Sequence, residues 1–205
     1  MAEKKEIVLA PEHQTLAERI GFDPAVLAFV IACNLPDLRQ LTVEQVGPDH
    51  CLVPVEVEGF CFEIERARGE SIQRTLRERF TRKGYLFFFT ELGVYRPPAT
   101  LAAIRGTDPY DILRLVGTED VNGDRTTENI IAVLREWESR YPFQITGAGR
   151  DWVECRLRKN PDDMLAFARE VIRLAPDSYS QGDYDDEAGF AAEMRRARSF
   201  HLWWD

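Results

Sequence analysis

The chain has 205 residues, 44% apolar and 30% charged. That is enough for one domain or two small ones with a real core, and it excludes a disordered tail or a disulfide-stapled miniprotein. Twenty-six bases against thirty-five acids leave a net charge of −9, which disfavours nucleic-acid binding and would steer a basic protein partner towards the surface.

The predicted elements begin with two short helices over 11–20 and 24–33, the second opened by Asp23-Pro24, a capping residue followed by a first-turn proline. Strands are expected at Leu41–Val46, Cys51–Val57 and Phe60–Glu65, the last two joined into a hairpin by Glu58-Gly59. Ser71–Arg82 reads as an amphipathic helix with Ile72, Leu76 and Phe80 inward, and Gly84 stops it. Tyr85–Leu92 and Thr100–Arg105 read as strands around a Pro97-Pro98 loop. Tyr110–Leu115 fits a helix or a strand. A polar loop over 117–125 leads to a helix at Thr126–Tyr141. Strands at Phe143–Thr146 and Trp152–Arg158 follow, then helices at Pro161–Ala175 and 185–197, and a closing strand at Phe200–Trp204. The fold class is α+β, with antiparallel or mixed sheets packed against helices in two αβ blocks, 1–84 and 85–205.

Four cysteines at 33, 51, 61 and 155 show no Cys-x-x-Cys spacing and read as small buried hydrophobes kept reduced in a cytosol. Met1–Glu6 leads into no signal-type apolar segment, and the longest apolar run, Ala25–Cys33, is about half of a membrane span. The expectation is a cytoplasmic protein without a membrane segment.

Asp120-Val-Asn122-Gly-Asp124-Arg125 places oxygen-bearing side chains at alternate positions, as a calcium loop does. The sixth position, where such a loop turns on glycine, is Arg125, and the twelfth, where it needs a carboxylate, is Ile131. The stretch therefore reads as a polar turn, with Asp124 or Thr126 capping the next helix. Gly147-Ala-Gly149 precedes a strand instead of a helix, so it reads as a hairpin turn and not as a dinucleotide loop. The basic stretch from Arg66 to Lys83 reads as a solvated helix face, with a local RNA or phosphate contact as the lesser alternative. Asp177, Asp183, Asp185, Asp186 and Glu187 form an acidic patch; the last three suit a helix start, and the whole suits a cation or a basic protein surface. His13, His50 and His201 lie in no nucleophile–base context, and no ligand spacing marks a metal. No catalytic residue, metal or cofactor is assigned. Trp203-Trp204 near the C-terminus argues for a docked end, with one indole in the core, or else for an aromatic wall.

Three stretches together resemble a known family: Gly106–Leu115, Tyr141–Glu154 (Tyr-Pro-Phe-Gln-Ile-Thr-Gly-Ala-Gly-Arg-Asp-Trp-Val-Glu), and the closing Leu202-Trp-Trp-Asp205. Ala175-Pro-Asp and Ser180-Gln-Gly182 add to the likeness. The family is the bacterial domain of unknown function 4253, over about residues 85–205. Asn122-Gly-Asp124 departs from the family's Asn-Tyr-Asp. The resemblance implies a bacterial soluble domain and carries no reaction with it.

The favoured expectation is a non-catalytic protein-binding module of the immunity or antitoxin kind. Its candidate contact residues are Asp120, Asn122, Asp124, Arg125, Asp151, Asp177, Asp183, Asp185, Asp186 and Trp204. The alternative is a small hydrolase or transferase with an Asp/Arg-lined cleft between the two blocks, drawing on Asp120, Asp124, Arg125, Asp151 and Asp205.

Overall fold

Aspartate and proline set the entry to the second helix as the sequence implies. The Asp23 carboxylate accepts the Ala25 N–H at 2.9 Å, and Pro24 fills the first turn, where an N–H would have no partner. The computed structural model describes residues 9–33, 37–49, 51–93, 97–120 and 125–205. Its chain divides into two compact units, Met1–Thr107 and Asp108–Asp205. Both are α+β.

In the first unit, α1 (Pro11–Arg19) and α2 (Pro24–Ile31) precede β1 (Arg39–Val46) and β2 (Leu52–Ile64); α3 (Arg66–Arg82), β3 (Tyr85–Glu91) and β4 (Ala99–Arg105) follow. Four strands pair antiparallel in the order β1-β2-β4-β3. Gly84, which stops α3, leads directly into β3, whose residues Tyr85–Phe89 are all buried. The α3 stripe of Ile72, Leu76 and Phe80 is buried, and Phe80 stacks on Phe87 at 4.5 Å between ring centres. α3 starts five residues before the expected Ser71, because the Glu65 carboxylate caps it by accepting the N–H groups of Ala67 and Arg68, each at 2.9 Å.

Glu58-Gly59 makes no turn. β2 is one thirteen-residue strand, and the expected hairpin inside it does not exist. Gly59 is paired with Ile104, and a Cβ there would lie 2.7 Å from the Ala103 carbonyl oxygen. Glycine is required by this close approach of two main chains, next to the register shift between Gln40 and Thr42.

The second unit holds α4 (Asp111–Val116), α5 (Thr127–Arg140), β5 (Phe143–Ala148), β6 (Trp152–Leu157), α6 (Met164–Leu174), α7 (Asp177–Ser180), α8 (Glu187–Ala197) and β7 (Ser199–Trp203). Tyr110–Leu115 thus resolves as a helix, and α7 lies where only an acidic loop was expected. The strands β5-β6-β7 are antiparallel neighbours. Along β6 and β7 buried and half-buried residues alternate strictly, so Val153, Cys155, Leu157, Phe200 and Leu202 share the core face. There Phe200 meets Phe143 and Phe167 edge-on, each at 5.2 Å, with Trp137 at 5.9 Å. Thr126 caps α5 in a capping box: its hydroxyl accepts the Asn129 N–H, and the Asn129 side chain accepts the Thr126 N–H.

All four cysteines are free thiols; Cys61 and Cys155 are buried, whereas Cys51 is exposed beside the β1–β2 turn and is no core residue. Among the described residues no helix is long and apolar enough to cross a membrane.

Candidate functional site

Four segments that are remote in sequence meet at one end of the β5–β6–β7 sheet. The Thr118 hydroxyl donates to the Gly149 carbonyl at 2.7 Å, and the Glu119 N–H donates to the Arg150 carbonyl at 2.7 Å. The Arg150 guanidinium also pairs with the Glu119 carboxylate. The segment after α4 is thereby laid along the β5–β6 turn. On the other side the Trp204 N–H donates to the Asp151 carbonyl at 2.9 Å. The α7 turn joins through the Asp205 N–H, which donates to the Asp177 carboxylate at 3.0 Å, and through the Gln181 amide, which donates to the Asp205 carboxylate at 3.0 Å.

Asp120 is 6% exposed, and its carboxylate takes Arg125 Nη1 at 3.2 Å. The Arg125 carbonyl accepts the Asp120 N–H, and Arg125 Nη2 donates to the Arg173 carbonyl at the end of α6. Arg125 thus ties Asp120 to the end of α6. Asn122 and Asp124 lie outside the described residues, as does His50.

Asp151 is half-buried. Burial pushes its carboxyl above the ordinary aspartate value; its own N–H opposes this, the neighbouring Asp205 charge adds to it, and Arg150 opposes it. The acidic patch divides by role. Asp177 holds the Asp205 main chain, and Asp186 caps α8 by accepting the Gly189 N–H at 2.7 Å. Glu187 pairs with Arg169 at 2.7 Å, while Asp183 and Asp185 are exposed. Trp204 is 1% exposed, and its indole N–H donates to the Leu174 carbonyl at 2.9 Å. It is the core member of the pair; Trp203 is half-buried.

The sheet face opposite the core carries residues to which the sequence reading gave no role as a group. Register sets Trp152 opposite Trp203 and Glu154 opposite His201. The Trp152 and His201 rings lie 6.0 Å apart, and the Thr146 hydroxyl donates to the Glu154 carboxylate at 2.9 Å. The only local signal was the alternation of Trp152, Glu154 and Arg156 with apolar residues. The Trp152 indole is seated on Gly149, where a Cβ would fall 2.2 Å from its Nε1. Among the described residues, no group of three or more His, Cys, Asp or Glu could hold a metal ion.

This end of the sheet thus presents two half-buried indoles on one face with Asp151, Asp177 and Asp205 at its rim. Indole faces and carboxylates both attract organic cations, and guanidinium in particular.

No curated protein and no solved structure matches the chain. A family model, domain of unknown function (DUF4253), matches residues 100–205, just over half of the chain. The match begins in β4, later than the 85 expected, and takes in every residue of the site. The chain belongs to the DUF4253 family.

Proposed function

We propose that the Asp108–Asp205 unit is a non-catalytic binding module of the bacterial cytoplasm that captures a basic protein partner, in the manner of an immunity protein or antitoxin. The observation that carries this reading is the convergence of Asp151, Asp177 and Asp205 at the Trp152–Trp203 end of the sheet. Charge supports it. From Asp108 onward there are twenty acids against thirteen bases, and before it fifteen against thirteen, so seven of the nine net negative charges lie in this unit. An arginine from the partner would lie over an indole while its guanidinium meets the rim carboxylates. Aromatic anchors ringed by charge are where binding energy concentrates, and the field speeds capture. Titration of the protein with an oligo-arginine peptide, followed by calorimetry at two salt concentrations, tests this. Salt-sensitive binding, weakened at least about tenfold in both Trp203→Ala and Asp205→Asn, is expected for such a hot spot. Binding unchanged in both variants, or none at low salt, would overturn it.

The second reading, hydrolysis or group transfer, draws on Asp151. A carboxyl held protonated to higher pH beside Arg150 suits a general acid. Turnover of a phosphoester or carboxylic ester that is lost in a folded Asp151→Asn protein would favour it.

A further inference from the structure

The first unit separates its charges. From Gln40 to Glu65 there is no Lys or Arg, while Glu44, Asp49, Glu56 and Glu58 fall within or beside the β1–β2 turn and its strands. From Arg66 to Lys83 seven bases stand against Glu70 and Glu78. The acidic part is also the thinnest part of the fold. β2 pairs with β4 only over Gly59–Ile64, so its first half, Leu52–Glu58, has β1 as its one partner strand among the described residues. A two-stranded ribbon is marginal by itself in water.

Leu41 and Val43 of the ribbon are buried, but the apolar residues at its tip are uncovered. Val46 is 55% exposed and Leu52 46% exposed, and the two are directly opposite. Glu44 is opposite Pro54, and Thr42 opposite Glu56. Alternation puts Glu44, Val46, Leu52, Pro54 and Glu56 on one face, with an apolar tip and a carboxylate pair behind it. The α2–α3 surface has the converse pattern. Phe29 is half-buried against Phe80, with the Arg79 guanidinium 5.7 Å from its ring centre, and Arg82 follows one turn later.

We propose that the protein is a symmetric dimer in which each β1–β2 ribbon docks on the α2–α3 surface of a second copy, Val46 and Leu52 meeting Phe29 while Glu44 and Glu56 meet Arg79 and Arg82. The second copy is the occupant because one chain carries both complementary surfaces, and a two-fold axis satisfies both at once. It draws only on residues of the first unit, so its test is separate from that of partner capture.

Light scattering on the full-length protein after size exclusion is the experiment. The wild type is expected at twice the monomer mass and to dissociate as salt is raised. The folded variants E44R/E56R and R79E/R82E, each checked by circular dichroism, are each expected to be monomeric. Mixing the two restores the dimer, because both contacts then regain opposite charges. Leu52→Ser is expected to shift the equilibrium to monomer without a change of charge. A monomeric wild type, or a dimer that survives in both charge variants, would overturn the proposal, as would a mixture that stays monomeric.

Discussion

Thr118 and Gly149, thirty-one positions apart, are joined by a 2.7 Å hydrogen bond from the threonine hydroxyl to the glycine carbonyl. Thr118 is fully buried, so its hydroxyl has no access to solvent. Thr118→Val keeps the shape and leaves the carbonyl without its donor, at a cost of about 1–3 kcal/mol. Urea unfolding should show that loss as a lower midpoint with an unchanged slope.

Gly149→Ala is expected to act on the indole. The new methyl would overlap the Trp152 ring, which must turn away from its seat. Overpacking of this kind costs about 1–3 kcal/mol. The emission of Trp152 should shift in this variant, whereas a Thr118→Val protein should show little such change. An unshifted spectrum would place the indole elsewhere.

Trp204 separates packing from hydrogen bonding. Trp204→Phe retains most of the buried ring but leaves the Leu174 carbonyl without its donor, about 1–3 kcal/mol. Trp204→Ala also opens a cavity and should lose about 3–5 kcal/mol. Equal losses in the two variants, by chemical denaturation, would refute that division.

Asp151 sets a pH dependence. A carboxyl whose folded value is raised is a burden when ionised, so its penalty is absent below the ordinary value of 3.8 and grows as pH rises through the folded value. Asp151→Asn should therefore raise the melting temperature near pH 7, and the gain should vanish below pH 3.8. A variant no more stable than wild type at neutral pH would contradict the direction of the shift.

Gly59→Ala tests the continuous β2 strand. In a turn the methyl would be tolerated; against the Ala103 carbonyl it forces the strands apart, costing about 1–3 kcal/mol. A neutral thermal melt would speak for a turn at this position.

Helices with proline, aspartate or threonine at their start, such as α2 and α5, were legible because capping is a local event. So was the extent of β6, since an alternating apolar run marks a strand locally. Gly59 misled because a glycine beside glutamate looks alike in a turn and at a close strand crossing; only β4 distinguishes them. α7 has four residues and no buried side chain, hence no periodicity to read. Glu154 and His201 were invisible as neighbours for another reason: forty-seven positions separate them, and only the β6–β7 register brings them together. Asp120 and Arg125 were picked out, but as separate contact candidates; nothing local in the chain signals that one neutralises the other.

Trp203 ends β7, and its N–H, turned away from β6, is taken by the Ser178 hydroxyl at 2.8 Å. An outer strand whose amide is already engaged is a poor template for a foreign chain. Heating the protein to partial unfolding should therefore produce little fibre growth from this flank for as long as the α7 turn stays in place. Ser178→Ala would bare the amide, and thioflavin-positive material should then form sooner.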